Sequence, residues 1–229
     1  MIKSIVFDMD DTLYDEIDYY KSGFKVVSRT IASDFGLNET KVSDTLWKIF
    51  DCGNHKNAFD ETAKNFGITF DDNYIAKLID IFRNHKPDIS LPAESRQVLT
   101  ELRKKFKLGL ITDGWLPAQE YKVRALQLEN YLDCIIYTEK LGPENWKPSP
   151  KSFEMILSNF GIEACETVYV GDNLRKDFIA PNKMGFKTIL ISRQNRIHSE
   201  SAPSQDAAAQ YEINSISEIV NLLKKIDGL

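Results

Sequence analysis

The sequence has little cysteine, no surplus of positive charge and no long apolar run. Its three cysteines, Cys52, Cys134 and Cys165, lie too far apart for the close pairs that build zinc sites or redox dithiols, so reduced thiols are expected. Lysine and arginine number 29 against 34 aspartates and glutamates, a net charge of -5, which leaves out the electrostatic footprint of a nucleic-acid binder. No stretch is long and apolar enough to span a bilayer, and the start, Met1-Ile2-Lys3-Ser4, is charged too soon for a signal peptide. These absences lead us to expect a cytoplasmic protein, monomer or homodimer, with no nucleic-acid or membrane partner.

What is present is a chain of 229 residues, 42% of them hydrophobic, which is ample for a core. Ile2 to Phe7 is a short apolar run rich in β-branched residues that ends at a carboxylate, and it reads as a buried strand delivering Asp8 at its C-terminal end. Similar runs recur at Leu108–Ile111, Cys134–Tyr137, Val168–Val170 and Thr188–Ile191, with a weaker one near Tyr211–Ile213. Stretches of helical period lie between them: Val98, Leu99, Leu102 and Phe106; Tyr121, Ala125 and Leu128; Phe153, Ile156, Leu157 and Phe160. This alternation predicts an α/β fold, a doubly wound, Rossmann-like parallel sheet covered on both faces. Ser149-Pro150 predicts an N-cap and a first-turn proline for the third helix, and Gly161 its end.

From about Asp15 to Lys86 the alternation stops, and the pattern is nearly all helical: Phe24, Val27, Ile31; Val42, Leu46, Ile49; Tyr74, Leu78, Phe82. That is too long for one crossover. The expected division is a catalytic core of residues 1–14 and 88–229 with an inserted α-helical cap of residues 15–87. Pro87-Asp88-Ile89-Ser90-Leu91-Pro92 would be the return linker, because two prolines forbid a continuous helix there. Two links around one insertion suit a hinged lid. Asn195 to Gln210, polar and rich in serine and alanine, reads as a mobile surface loop.

In open parallel sheets the ligand site lies beyond the carboxyl ends of the strands. After the first strand come three carboxylates in four residues, Asp8-Met9-Asp10-Asp11, then Thr12. They repel one another unless a cation neutralises them, and hard oxygen donors favour magnesium over zinc. Taken alone, the same residues could merely cap the next helix. After the second strand, Thr112-Asp113-Gly114 offers a hydroxyl and backbone N–H groups of the kind that bind phosphate oxygens, or an ordinary turn. Beyond the third, Lys147 immediately precedes a helix start, where anions gather. After the fourth, Gly171-Asp172-Asn173-Leu174-Arg175-Lys176-Asp177 places two more carboxylates at the same edge; of the two, Asp177 better fits a solvated acidic loop.

These four segments, in this order and at these strand ends, resemble the haloacid dehalogenase superfamily, in its phosphatase branch with a helical cap after the first motif. The resemblance covers essentially the whole chain. It implies Asp8 as the nucleophile and Asp10 as general acid and base, with Thr112, Lys147 and the backbone of Asp113 and Gly114 on the transferring phosphoryl group. It further implies Mg2+ on Asp8, the backbone carbonyl of Asp10 and Asp172, with Asn173 and Asp177 in supporting positions, Asp177 orienting Lys147 or a metal-bound water. Asp113 stands where asparagine is frequent, which makes its side chain an unsuitable phosphate ligand. Asn173 stands where an acidic or hydroxyl residue is common, and could reach the metal through water.

The dehalogenase branch lacks an acid at the position of Asp10, so the resemblance implies a phosphatase acting on a small phosphorylated metabolite: a nucleotide, sugar phosphate or phospho-acid. A phosphosugar mutase of the same fold is an alternative, and so is a non-catalytic binding or regulatory protein, although none of the catalytic positions is lost. Substrate choice is expected from the cap, where Asn54, His55 and Lys56 either read the leaving group or form an outward-facing connection. Tyr14, Tyr19, Tyr20 and Trp47 could stack on a base or sugar, or serve as core.

Overall fold

The computed structural model of the chain describes residues 1–197 and 201–227, apart from the side chain of Lys56. Three of the residues assigned above to a mobile loop, 198–200, therefore lie outside it. In chain order the elements are β1 (Ser4–Phe7), α1 (Ile17–Phe35), α2 (Glu39–Asp51), α3 (Ala58–Asn65), α4 (Asp72–Asn84), α5 (Ala93–Leu102), β2 (Lys107–Thr112), α6 (Ala118–Ala125) and β3 (Cys134–Tyr137). They continue with α7 (Lys151–Phe160), β4 (Thr167–Gly171), α8 (Ile179–Met184), β5 (Lys187–Ile191), β6 (Tyr211–Ile213) and α9 (Ile219–Ile226). The chain divides into two compact units, one of Met1–Ile17 with Ile89–Leu229 and one of Asp18–Asp88.

In the first unit six strands form one sheet in the order β3-β2-β1-β4-β5-β6, parallel throughout. The order reverses at β1, which pairs with β2 on one side and β4 on the other, with Phe7 level with Leu110 and Val170. Such a reversal opens a crevice beyond the strand ends, and Asp8 is the first residue past β1. Alternation along the strands supplies two buried faces. Val6, Ile111, Ile136, Tyr169 and Leu190 cluster with Phe153, Ile156, Phe178 and Ala180. The intervening Ile5, Phe7, Leu110, Val168, Val170 and Ile189 are fully buried as well.

The cap of α7 differs from the expectation by one position. Pro150, not Ser149, is the N-cap residue, and no side chain caps the helix. Proline at Pro150 cannot donate an N–H, and the hydroxyl of Ser149 reaches only a long 3.4 Å contact with the amide of Lys151. Gly161 ends the helix as expected. Within the segment read as a mobile loop, Gln205–Ala207 forms a 3-10 turn, Ala207 is fully buried, and the carbonyls of Asp206 and Ala208 accept from Asn182.

The second unit is helical and builds its own core around Phe24, Val27, Ile31, Val42, Leu46 and Leu78. Tyr20, Phe24, Trp47, Phe50 and Phe82 pack edge-on or tilted, with ring centroids 4.7–5.8 Å apart. Tyr19 and His85 join this group, so Tyr19, Tyr20 and Trp47 are packing residues of the unit. The ends of the unit are clasped together: the hydroxyl of Ser22 accepts from the amide of Asp88 at 2.8 Å and lies 3.0 Å from Nε2 of His85. In the segment expected to read substrate, Asn54 is half-buried and the His55 ring stacks on Phe50 at 4.1 Å.

Candidate active site

β1 ends in a backbone bond from the amide of Asp8 to the carbonyl of Val170, which carries Asp8 to the sheet edge, 4% exposed. The chain then leaves strand geometry: Asp11 adopts φ 53, a left-handed conformation that aspartate tolerates better than most residues. Its carboxylate is consumed in holding that loop, accepting from the amides of Glu16 at 2.8 Å and Ile197 at 2.7 Å. Arg193, just beyond β5, grips the same loop from outside, donating to the carbonyl of Thr12 and pairing with Asp15 at 3.0 Å. Asp8 and Asp10 consequently enter quite different surroundings.

Around Asp8, Lys147 Nζ donates to Asp8 at 2.5 Å and to Asp177 at 2.7 Å, with Tyr169 Oη 3.1 Å away. Asp177 is fully buried, which corrects its reading as part of a solvated acidic loop. The turn that starts at Asn173 folds it back through a bond from its amide to the carbonyl of Asn173, and its Oδ2 accepts from the amide of Asn173 at 2.9 Å. Gly171 makes room: a Cβ there would sit 2.6 Å from Asp177 Oδ2. Asn173 spends its side-chain carbonyl on the amide of Arg175, 3.0 Å.

Carboxylate oxygens of Asp8, Asp172 and Asp177 lie within 4.8 Å of one another, all buried. Asp177 has both oxygens engaged by the protein, whereas Asp172 Oδ2 is buried with no hydrogen-bond partner among the described residues. A buried carboxylate oxygen without a partner is costly, and an all-oxygen set of this kind fits a hard divalent cation. The charge balance agrees. Burial, with Asp177 against it, pushes Asp8 up to about 7 despite Lys147. Burial, then Asp177 and Asp8, raise Asp172 well above the carboxylate range. Burial alone would lower Lys147, but Asp177 and Asp8 outweigh it and hold the ammonium charged.

Asp10 sits among donors. Lys122 Nζ donates to its Oδ1 at 2.8 Å and Tyr14 Oη at 2.5 Å, while Gln119 Nε2 donates to Oδ2 at 2.9 Å. Burial would raise this carboxyl, but Lys122 and the three hydrogen bonds prevail and lower it. Tyr14, 1% exposed, therefore serves Asp10 and offers no stacking surface. Lys122 also lies 3.6 Å from Glu16, which burial and the nearby Asp10 push up to about 8.

The Thr112 hydroxyl is buried beside this group and accepts from Gln119 at 2.7 Å. Gln119 also donates to the carbonyl of Asp113, and Gly114, at φ +141, leaves it the space: a Cβ there would lie 2.8 Å from the Gln119 amide carbon. The Asp113 side chain turns toward the third strand, accepting from Thr138 at 2.8 Å and from the amide of Lys147 at 3.2 Å, and pairing with Lys176 at 3.1 Å. It braces the Lys147 loop. The structure thus gathers Asp8, Asp10, Thr112, Asp113, Lys147, Asp172, Asn173 and Asp177 at one sheet edge. Asn54 and His55 belong to the other unit. Gln119 and Lys122 were not anticipated, although their spacing of three, directly after the Thr112 turn, places both on one face of α6.

The sequence profile of haloacid dehalogenase-like hydrolases matches residues 5–191. The chain belongs to this family. A curated relative, the glyceraldehyde 3-phosphate phosphatase of Methanocaldococcus jannaschii, is 31% identical over 231 residues, spanning 99% of both chains. The N-acylneuraminate-9-phosphatase of Homo sapiens is 24% identical over 247 residues, covering 99% of this chain and 95% of that one. Among solved structures, a haloacid dehalogenase-type hydrolase from Bacillus subtilis, determined with magnesium bound, shares the fold with a TM-score of 0.68 over 97% of this chain and 98% of that one, at 20% identity.

Proposed function

We propose that this phosphomonoesterase transfers the phosphoryl group of a small phosphate ester first to Asp8 and then to water. The observation that carries the reading is the pairing of two carboxylates two residues apart in opposite environments. Asp8 stands with Lys147 and an under-neutralised acidic cluster, and Asp10 stands with three donors. Asp8, the backbone carbonyl of Asp10 and Asp172 would hold Mg2+, which when bound supplies the charge that lets an anionic nucleophile meet a phosphate.

An oxygen of Asp8 attacks phosphorus, the bond to the ester oxygen breaks, and Asp10 gives that oxygen a proton. Lys147 offsets the charge on the equatorial oxygens, with Thr112 and the amides of Asp113 and Gly114 as further donors. Water then attacks the aspartyl phosphate, Asp10 takes its proton, and orthophosphate leaves. The resting geometry holds Asp10 ionised, ready for this second step. Its protonation for the first step requires the Lys122 contact to loosen.

The relatives described above are named as phosphatases, which favours transfer to water over the return to a sugar that a mutase would make. Their named substrates carry phosphate on a primary hydroxyl of a small polyhydroxylated carbonyl compound, and we take that as the substrate class here. The helical unit of residues 18–88 would act as the cap. Phosphate release over a panel of triose, hexose and nonulosonate phosphates and nucleoside monophosphates, with Mg2+ or chelator, tests the reading. Magnesium-dependent release by wild type and none by Asp8→Asn is expected; activity retained in that variant sinks the nucleophile assignment. For the rest, no described helix is long and apolar enough to cross a membrane.

A further inference from the structure

Thr112 and Lys147 each have a tryptophan close by in sequence. Trp115 comes three residues after Thr112, and Trp146 directly precedes Lys147. The two indoles bring these loops together edge to face, with ring centroids 5.6 Å apart and planes at 69°. Trp115 is 46% exposed, and the other large hydrophobic side chains standing exposed among the described residues, Met1 and Phe35, are at the chain start and in the helical unit. The Nε1–H of Trp146 is buried without an acceptor among the described residues. An exposed indole and a donor lacking an acceptor are both unfavourable for the fold alone, and here they adjoin the residues that would grip phosphate.

Resting on the phosphatase reading, we propose that Trp115 and Trp146 form the wall that selects the leaving group, taking a sugar or sugar-acid phosphate. The C–H face of its carbon skeleton would lie on the exposed Trp115 ring, which Trp146 backs edge to face. Indole presents a wide flat apolar face with low rotamer entropy, which suits the alternately apolar and hydroxylated surface of a sugar. A phosphoryl donor without a carbon skeleton of that size gains nothing from it. On this proposal part of the specificity resides in the unit that carries the chemistry.

The test compares wild type, Trp115→Ala and Trp115→Phe on acetyl phosphate, which has no skeleton to stack, on triose, hexose and nonulosonate phosphates, and on nucleoside 5′-monophosphates. For the sugar phosphate that wild type prefers, Trp115→Ala should lower kcat/KM relative to acetyl phosphate by about tenfold, mainly through KM, and Trp115→Phe should recover most of it. An equal loss on both substrates, no loss on either, or a loss confined to nucleotides overturns the proposal. Turnover of acetyl phosphate by wild type with no sugar phosphate hydrolysed also overturns it. Absence of magnesium-dependent turnover of every ester by wild type would instead overturn the phosphatase reading on which it rests.

Discussion

Asp8 and Asp10 are separated by one residue, yet their halves of the site are built on opposite electrostatic plans. The Asp8 half holds three buried carboxylates against one buried ammonium, and Asp172 keeps an unpartnered oxygen. The Asp10 half surrounds one carboxylate with an ammonium, an amide and a phenol. The first half carries more buried negative charge than its lysine offsets, whereas the carboxylate of the second has donors from the protein on both oxygens. Such a contrast suits the roles proposed for them, a nucleophile neutralised on demand and a proton carrier whose charge the protein itself sets.

The comparison breaks most sharply at Asp8. Asp8→Asn should cut phosphate release by about 10⁴-fold or more, since no other described group occupies its place. Next is Lys147→Met, which strands Asp8 and Asp177 without their counter-charge; chemical denaturation of the metal-free protein should report a loss of about 3–5 kcal/mol, partly recovered by adding Asp177→Asn. In the other half, Lys122→Met should cost about 10- to 100-fold in kcat. Without its ammonium the Asp10 pKa rises, less carboxylate is present at a given pH, and the acidic limb of the rate profile moves to higher pH. A limb that stays in place would mean that Lys122 does not govern Asp10.

A fourth outcome uses the asymmetry without mutation. Asp8 titrates near 7 when folded against 3.8 in the unfolded chain, so it favours the fold in acid and loses that contribution as pH climbs from about 4 through about 7. Asp172 is raised in the same direction. Mg2+ should offset the loss: at one fixed concentration it should raise stability more at pH 8 than at pH 5.5, the whole gain reaching about 2.7 kcal/mol where that concentration is 100 times the Kd. Equal gains in melting temperature at both pH values would contradict the unneutralised cluster. The smallest effect, about 1 kcal/mol, is expected for Asn173→Ala, which removes only the turn bond to Arg175.

The strand ends were legible because a buried parallel strand needs an unbroken apolar run, and a polar residue must follow where the sheet stops. Even the weak run at Tyr211–Ile213 is a strand, short because it lies at the sheet edge. Asp177 was misread because an acidic loop looks the same in sequence whether or not a lysine 30 positions upstream meets it inside the protein. Lys122 and Gln119 escaped for a related reason: polar residues of a helix are usually solvated, and only the pairing of β1 with β2 brings α6, which follows β2, beside the loop after β1. Tyr14 was visible as an aromatic residue, but only its fold position reveals that the hydroxyl, rather than the ring, has the partner that matters.

The clasp of Ser22 with Asp88 and His85 bears on how the helical unit tolerates change. A helical excursion whose two ends are fastened to each other is closed by its own residues, and lengthening the enclosed chain adds little closure entropy. The chain between the two fastened ends can therefore vary in length without a large entropic cost to the unit that holds it.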